Sequence, residues 1–299
     1  MKEVLHEFKV ERLQILDEKG NCDESLMPKL SDKQIKELYE KMILARTFDN
    51  KALNMQRQGR IGSYLEIKGQ EASQIGCVSA LKDKDYIFPM YRSSGALLAR
   101  KQPMHLLFLY WGGDERGLRS PDNVNNFPLA IPVGTQIAHA SGAGWAAKLK
   151  KEDTVSMVFF GDGASSKAEF HTGMNFASVY GANTIFVCEN NQFAISTPVS
   201  HQTGAKTIAQ KAIAYGMNGI QVDGNDIFAV YKAASDAVKN ARKGIPTLME
   251  CLTYRMSDHS TSDDASKYRK QKDVDEWAKK DPVNRLEIYM KSKKLLDAK

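Results

Sequence analysis

The chain has 299 residues, 42% of them hydrophobic, and a formal net charge of +6 from 42 basic and 36 acidic side chains. That is enough apolar material for one large domain or two small ones, and it excludes wholesale disorder. The positive excess is modest and dispersed. It suits anionic ligands and excludes nucleic acid as a partner, which would call for a basic stripe with stacking aromatics.

The four cysteines, Cys22, Cys77, Cys188 and Cys251, form no CxxC and no metal-like spacing, the pattern of reduced, mostly buried thiols. No apolar run approaches the length of a bilayer span, and the opening "MKEVLHEFKV" lacks the apolar core of a signal peptide. The expectation is a cytoplasmic protein with no membrane partner.

Residues 1–30 show little periodicity and are expected to form an extended N-terminal arm, leaving 31–299 as a single α/β domain. "LSDKQIKELYEKMILARTFDNKALNMQRQG" predicts a long helix. Ser31 caps it, Gln34 completes a capping box, Gly59 ends it, and Ile35, Leu38, Met42 and Ala45 share one face. Next come short apolar runs without a helical stripe, "DYIFPM", "TVSMVFF", "TIFVCE" and "PTLMECLTY", separated by the helical stretches "TQIAHASGAGWAAKLK", "KAEFHTGMNFASVYG" and "NDIFAVYKAASDAVKNARKG". Strand and helix in alternation predict a mainly parallel sheet with helices on both faces, and strands covered on both sides should be this uniformly apolar. "DVDEWAKKDPVNRLEIYMKSKKLL" adds one or two C-terminal helices, and the basic end "KSKKLLDAK" reads as a solvated helix terminus.

The chemistry concentrates where strands end. Gly161, Asp162 and Gly163 follow "TVSMVFF" directly and precede a helix; Asn190 and Asn191 follow "TIFVCE". In parallel sheets ligands bind at the carboxyl ends of the strands, where glycines let the backbone approach a phosphate and a helix N-terminus favours negative charge. A carboxylate in such a turn makes sense if a cation lies between it and the phosphate. If the two strands are close, Asp162 and Asn191 offer oxygens to one hard cation such as Mg²⁺, which takes few protein ligands and completes its shell with phosphate oxygens and water. Alone, a Gly-Asp-Gly turn or an Asn pair is commonplace; at successive strand ends they form a far more specific signal.

"GDG" followed by "NN" at this separation resembles the thiamine diphosphate fingerprint. The surrounding segments, "ARTFD", "RQGRIG", "GQEA", "MYRSSG", "PVGTQIAHASGAG", "GDGASS", "CENNQFAIS", "VDGND" and "YRMSDHSTSDDASKYR", resemble the alpha subunit of the decarboxylating component of 2-oxo acid dehydrogenase complexes. The likeness runs from about residue 30 onward. "HSTSDD" is most similar to the branched-chain type, with pyruvate or acetoin dehydrogenases as the alternative; a split transketolase-like chain and a non-catalytic interaction subunit fit less well.

The resemblance implies a thiamine diphosphate-binding α/β fold and assigns residues. Asp162, Asn191 and the carbonyl of Phe193 match magnesium ligands. Gly161, Gly163 and Ala164 match the turn against the diphosphate, and Tyr91 and Arg92 a pair on the cofactor phosphates. Ile131 and Val133 match supports of the bent cofactor, and Ala194 and Ile195 further cofactor contacts. Thr135 and Gln136 match a potassium-binding turn, and His259 matches the active-site histidine. A lone loop histidine is more often structural; the motif favours function here, while His139 and His171 are read as structural. Ser260 matches a position phosphorylated in mitochondrial relatives, although its plain reading is a loop hydroxyl.

The cofactor is the electron sink for carbon dioxide loss. In the resembled family, the glutamate that meets its aminopyrimidine comes from a beta subunit. The implied active unit is therefore an α2β2 heterotetramer passing its acyl group to the lipoyl groups of an acyltransferase core. Three stretches depart from the pattern. Glu189 stands where branched-chain enzymes often carry an arginine near the diphosphate and pyruvate enzymes often a glutamate, Lys167 and Ala168 replace a usual Glu-Gly pair, and "SPDNVNN" lacks a frequent histidine.

Overall fold

The computed structural model describes residues 2–5 and 7–296; positions 1, 6 and 297–299, which fall in the arm and the basic tail, lie outside the described residues. In chain order the elements are β1 (Glu11–Leu13), α1 (Asp32–Arg57), α2 (Glu71–Ser79), β2 (Tyr86–Phe88), α3 (Ser94–Ala99), α4 (Met104–Trp111), β3 (Asn125–Asn126), α5 (Thr135–Leu149), β4 (Ser156–Gly161), α6 (Ala168–Tyr180), β5 (Thr184–Asn190), β6 (Phe193–Ala194), β7 (Thr197–Pro198), β8 (Asn218–Asp223), α7 (Ile227–Ala241), β9 (Thr247–Leu252), α8 (Gln271–Ala278) and α9 (Pro282–Ser292).

Seven strands form one sheet in the order β1-β8-β9-β5-β4-β2-β3, every pair parallel. The pleat sorts its side chains by parity. Val158, Phe160, Phe186, Cys188 and Leu248 face one core with Ile137, Ala140, Phe170 and Met174 of α5 and α6. Met157, Phe159, Ile185, Val187, Met249 and Cys251 face the other, with Ile75, Phe228, Leu38 and Leu286 of α2, α7, α1 and α9. Burial on both faces is why these strands read as unbroken apolar runs. The expected helices on both sides of a parallel sheet are present.

Helix α1 begins at Ser31 with the expected capping box and buries Ile35, Leu38, Met42 and Ala45; the chain leaves it through Gly59 at φ +68°. Residues 11–13 of the N-terminal stretch pair with β8 and extend the sheet. Helices α2, α3 and α4 and strand β8 had no counterpart in the expected elements. Cys77, Cys188 and Cys251 are buried free thiols, with Cys22 half-buried.

One corner joins both ends of the chain to the sheet. The Asp226 carboxylate, fully buried, accepts the Ile15 and Leu16 amides at 2.6 and 2.7 Å with Oδ2, and caps α7 by accepting the Phe228 and Ala229 amides at 3.0 and 3.1 Å with Oδ1. Beside it, Arg285 Nη1 of α9 donates to Leu16 O at 3.1 Å and to Asp223 Oδ2 at 2.9 Å, and Asn225 Nδ2 donates to Lys280 O at 2.9 Å. The "VDGND" motif is thus a structural clasp. Asp226→Ala leaves two buried amides unpaired and uncaps α7, with an expected loss of about 2–4 kcal/mol in equilibrium urea unfolding of the full-length chain. Asp226→Asn keeps one acceptor oxygen and is expected to lose less.

Candidate active site

Strands β4 and β5 are neighbours at the centre of the sheet, with Gly161 opposite Glu189. The turn after β4 and the turn after β5 therefore emerge at one edge, as the sequence pattern required. They meet at a cavity of about 520 Å³. Tyr91, Arg92, Ile131, Val133, Gly161, Asp162, Gly163, Ala164, Asn191, Phe193, Ala194, Ile195 and His259 all line it. Gln136 lines it too, whereas Thr135 does not. Leu65, Met90, Ala130, Gly134, Phe160 and Lys167 complete the wall.

The glycine turn winds into a short 3-10 helix, Asp162–Ser166, before α6 begins. A Cβ on Gly163 would stand 2.7 Å from Ala194 Cβ, so glycine lets the two turns approach closely. Asp162 is buried, and its Oδ2 accepts Gln202 Nε2 at 2.6 Å. Burial raises its pKa to about 6, against the opposing Gln202 hydrogen bond. A buried carboxyl held above its ordinary range suits a nearby cation, which would favour the charged form.

The two asparagines divide the labour. Asn190 is structural: its Nδ2 donates to Glu250 Oε1 at 2.7 Å and its Oδ1 accepts the Gln192 amide at 3.2 Å. Asn191 reaches the cavity. Its Nδ2 donates to Gln70 Oε1 at 3.3 Å, and its Oδ1, 3.4 Å from the Phe193 amide, is the oxygen left for a ligand. Gln192 and Ile195 adopt φ of +77° and +54°, uncommon for residues with side chains and strained for a β-branched one. Arg255 holds this turn, Nη2 donating to Ile195 O at 2.6 Å and to Tyr268 Oη at 2.7 Å, and Nη1 to Phe193 O at 3.2 Å.

His259 is fixed from four sides. Its amide donates to Asp263 Oδ2 at 2.8 Å, and Arg92 Nη2 donates to its carbonyl at 2.7 Å. Arg92 Nη2 and Arg255 Nη1 lie 3.2 and 3.5 Å from its Nδ1, and Tyr91 meets the ring edge-on at 6.1 Å. A guanidinium cannot accept, so Nδ1 is the acceptor and the proton sits on Nε2. Burial, with the two guanidiniums adding to it, lowers the His259 pKa to about 4. The loop carrying it is tied down by Arg269 Nη1, which donates to Ser257 O at 2.8 Å, and by Asp258 Oδ1, which accepts the Ala265 amide at 2.9 Å. The Ser260 hydroxyl contacts Ser262 Oγ at 3.1 Å.

Glu189, at the position where branched-chain enzymes often carry an arginine, does not line the cavity. It is fully buried under α2, accepting Ser73 Oγ at 2.6 Å and lying 3.4 Å from Gln74 Nε2, and burial raises its pKa to about 7. Odd-numbered β5 side chains face that layer, which is the physical reason. "SPDNVNN" also stays off the cavity, with Asn126 buried against Arg100 and Gln102. Sequence reasoning missed Gln70, Gln202 and Arg255 as partners of the site; "GQEA" and "YRMSDH" contained two of them, without a spacing that points to their contacts.

Among the described residues no cluster of three or more His, Cys, Asp or Glu could hold a metal by itself. The Asp162 carboxylate and the Asn191 carboxamide oxygen would suit a hard cation that takes the rest of its shell from a ligand's oxygens and water. Gln136, which donates to Phe159 O at 2.8 Å, keeps a buried Oε1 with no partner among the described residues.

A model of the dehydrogenase E1 component family matches residues 39–299. The chain is 43% identical over 267 residues to a 3-methyl-2-oxobutanoate dehydrogenase subunit alpha of Mycobacterium tuberculosis, covering 89% of this chain and 73% of that protein. It is 43% identical over 290 residues to a pyruvate dehydrogenase E1 component subunit alpha of Staphylococcus aureus, covering 96% and 78%. A Bacillus cereus protein of the same name is 43% identical over 298 residues, covering 99% and 80%. With this match over most of its length and a cavity at the paired strand ends, the chain belongs to the thiamine diphosphate-dependent dehydrogenase E1 component family, as the alpha-type subunit of a 2-oxo acid dehydrogenase.

Proposed function

We propose that this chain binds the diphosphate half of thiamine diphosphate with Mg²⁺ and, together with a beta subunit, oxidatively decarboxylates a branched-chain 2-oxo acid and acylates the lipoyl group of an acyltransferase core. The observation that carries it is the meeting of Asp162 and Asn191 at adjacent strand ends, in one cavity with Tyr91, Arg92 and His259. When bound, the cofactor supplies the electron sink for loss of carbon dioxide.

The chain's own groups have separate tasks. Asp162, aimed by Gln202, and Asn191, aimed by Gln70, would offer oxygens to Mg²⁺, whereas the Phe193 carbonyl, the third expected ligand, already accepts Arg255 Nη1 at 3.2 Å. Arg92 and Tyr91 stand on the phosphate side, and Gln136 offers an unpartnered oxygen to K⁺ at the wall. His259, neutral at working pH and lining the cavity, would offer Nε2–H as a hydrogen-bond donor to negative charge that develops there.

Asp162 is the sole carboxylate among the lining residues, so the chain offers no second acid for proton transfer at the aminopyrimidine. Ile131, Val133 and Ile195 are 48%, 44% and 56% exposed at the rim. An apolar rim and a missing acid both favour completion by a beta subunit.

The branched-chain assignment draws on the likeness of "HSTSDD" and on the aliphatic wall of Leu65, Ile131, Val133 and Ile195. Pyruvate is the second candidate, favoured by the pyruvate-type relatives that align over 96% and 99% of the chain. Turnover of 3-methyl-2-oxobutanoate against pyruvate, with an artificial electron acceptor and the co-expressed beta subunit, decides between them. The branched acid is expected to have the higher kcat/KM, and a preference for pyruvate overturns the substrate assignment.

Two further outcomes are expected. Asp162→Ala and Asn191→Ala abolish Mg²⁺-dependent cofactor binding in calorimetric titration, whereas His259→Ala binds normally but loses about 10²–10⁴-fold in turnover. Because His259 is depressed from about 6.5 to about 4, folding favours its neutral form. Its contribution to stability is complete above about pH 6.5 and is lost as pH falls towards 4. Labelled-histidine NMR should show no titration of this ring between pH 6 and 8.

A further inference from the structure

Cations on the cavity wall are few. Among its lining residues only Arg92 and Lys167 carry fixed positive charge, His259 being neutral. Arg92 is already engaged: Nη1 donates to Glu66 O at 2.6 Å, and Nη2 donates to His259 O at 2.7 Å beside Nδ1 at 3.2 Å. Lys167 Nζ has no hydrogen bond or ion pair to any described residue.

The backbone places this lysine firmly. Its amide donates to Ala164 O at 3.0 Å, closing the turn that begins at Asp162. Its stem lies against Gly134, where a Cβ would stand 3.5 Å from Lys167 Cβ. Lys167 is also the N-cap residue of α6, and its side chain makes no cap. Ser, Thr, Asp or Asn would accept the free amides there, and an ammonium beside the positive end of a helix is locally unfavourable. An anion bound in the cavity relieves that conflict.

We propose that Lys167 is the free cation that neutralises the cofactor's diphosphate, gripping it from the α6 side of the cavity. This deepens the cofactor assignment proposed above and rests on it. Another anionic group could come from the substrate, whose carboxylate has the same chemistry. The diphosphate is favoured because Lys167 closes the very turn, Gly161–Ala164, that faces phosphate in that assignment.

The test is calorimetric titration of the full-length chain, co-expressed with its beta subunit and freed of cofactor, with thiamine diphosphate at saturating Mg²⁺. Inorganic pyrophosphate serves as competitor. Lys167→Ala and Lys167→Gln should raise the Kd about tenfold or more and weaken pyrophosphate competition in parallel, while Lys167→Arg retains most of the affinity. Unchanged melting of the cofactor-free variants confirms that they fold. An unaltered Kd in Lys167→Ala, with binding abolished in Asp162→Ala, overturns the role of Lys167 and leaves the cofactor assignment standing. An unaltered Kd with a raised KM for the 2-oxo acid also overturns it, moving the charge to the substrate carboxylate. Failure of the unsubstituted complex to bind thiamine diphosphate overturns the cofactor assignment and this inference together.

Discussion

Everything at the candidate site depends on the parallel register of β4 and β5. Phe160 lies opposite Cys188 and Gly161 opposite Glu189, so Asp162 and Asn191 leave the sheet at the same edge. A slip of one residue would move one turn by about 3.3 Å along the strand and send alternate side chains to the wrong face. Both faces are packed, with Val158, Phe160, Phe186 and Cys188 on one side and Met157, Phe159, Ile185 and Val187 on the other. The register is therefore enforced twice. It extends to β9, where the Thr253 and Arg255 amides donate to Asn190 O at 2.9 Å and Asn191 O at 3.2 Å. Those two bonds deliver Arg255, and four residues later His259, to the cavity.

The second theme is the placement of charge in a dry interior. Asp49 accepts the Tyr64 hydroxyl at 2.8 Å and the Ile67 and Lys68 amides at 2.9 and 3.1 Å, and burial still raises it to about 7. Those bonds shape the loop that brings Leu65 to the cavity and leads to Gln70. Glu189 sits below the same region, and Gln74 bridges it to Arg92 by donating to the Arg92 carbonyl at 2.7 Å. Buried carboxyls with raised values mark an interior in which full ionisation is costly. His259 responds to the same environment in the opposite direction, staying uncharged between two guanidiniums. A neutral imidazole whose tautomer is fixed is a more defined hydrogen-bond donor than one that titrates freely.

Much of this was legible in the sequence, for reasons that also explain the gaps. The central strands were readable because burial on two faces leaves only apolar residues, and α1 because its capping box and single apolar face survive as a pattern. Helix α2 was not, since every residue from Glu71 to Val78 is buried and polar Gln74 and Glu71 lie inside with partners of their own. No amphipathic stripe exists to be read. Strand β8 escaped because its first four residues are not fully buried and mix Asn, Gly and Gln with Ile. At the site, Asp162 and Asn191 stood out as polar residues directly after apolar strands. Gln70 and Gln202 contact them across separations of 121 and 40 residues, information that no local spacing contains. Glu189 shows the converse limit: it neighbours the asparagines in sequence, and strand parity turns it away.

The cavity's chemical inventory argues for division of labour between chains. Its polar end is finished, with Asp162 and Asn191 each oriented by a glutamine and the strained turn at Ile195 clamped by Arg255. Its mouth is not, because Ile131, Val133 and Ile195 present aliphatic surface to solvent. Exposed apolar side chains clustered at the rim of a polar site mark a surface meant to be covered. A β-branched residue held at positive φ persists only when its surroundings over-determine it; Arg255 supplies one such constraint on Ile195, and the proposed beta subunit would add another. In the proposed arrangement, phosphate-side charge and metal-side oxygens on this chain and the remaining acid on a beta subunit would leave neither chain with a complete reaction centre by itself. A beta subunit that covered this rim would close the cavity at the same step that completes it, which would keep chemistry out of an open, wet site.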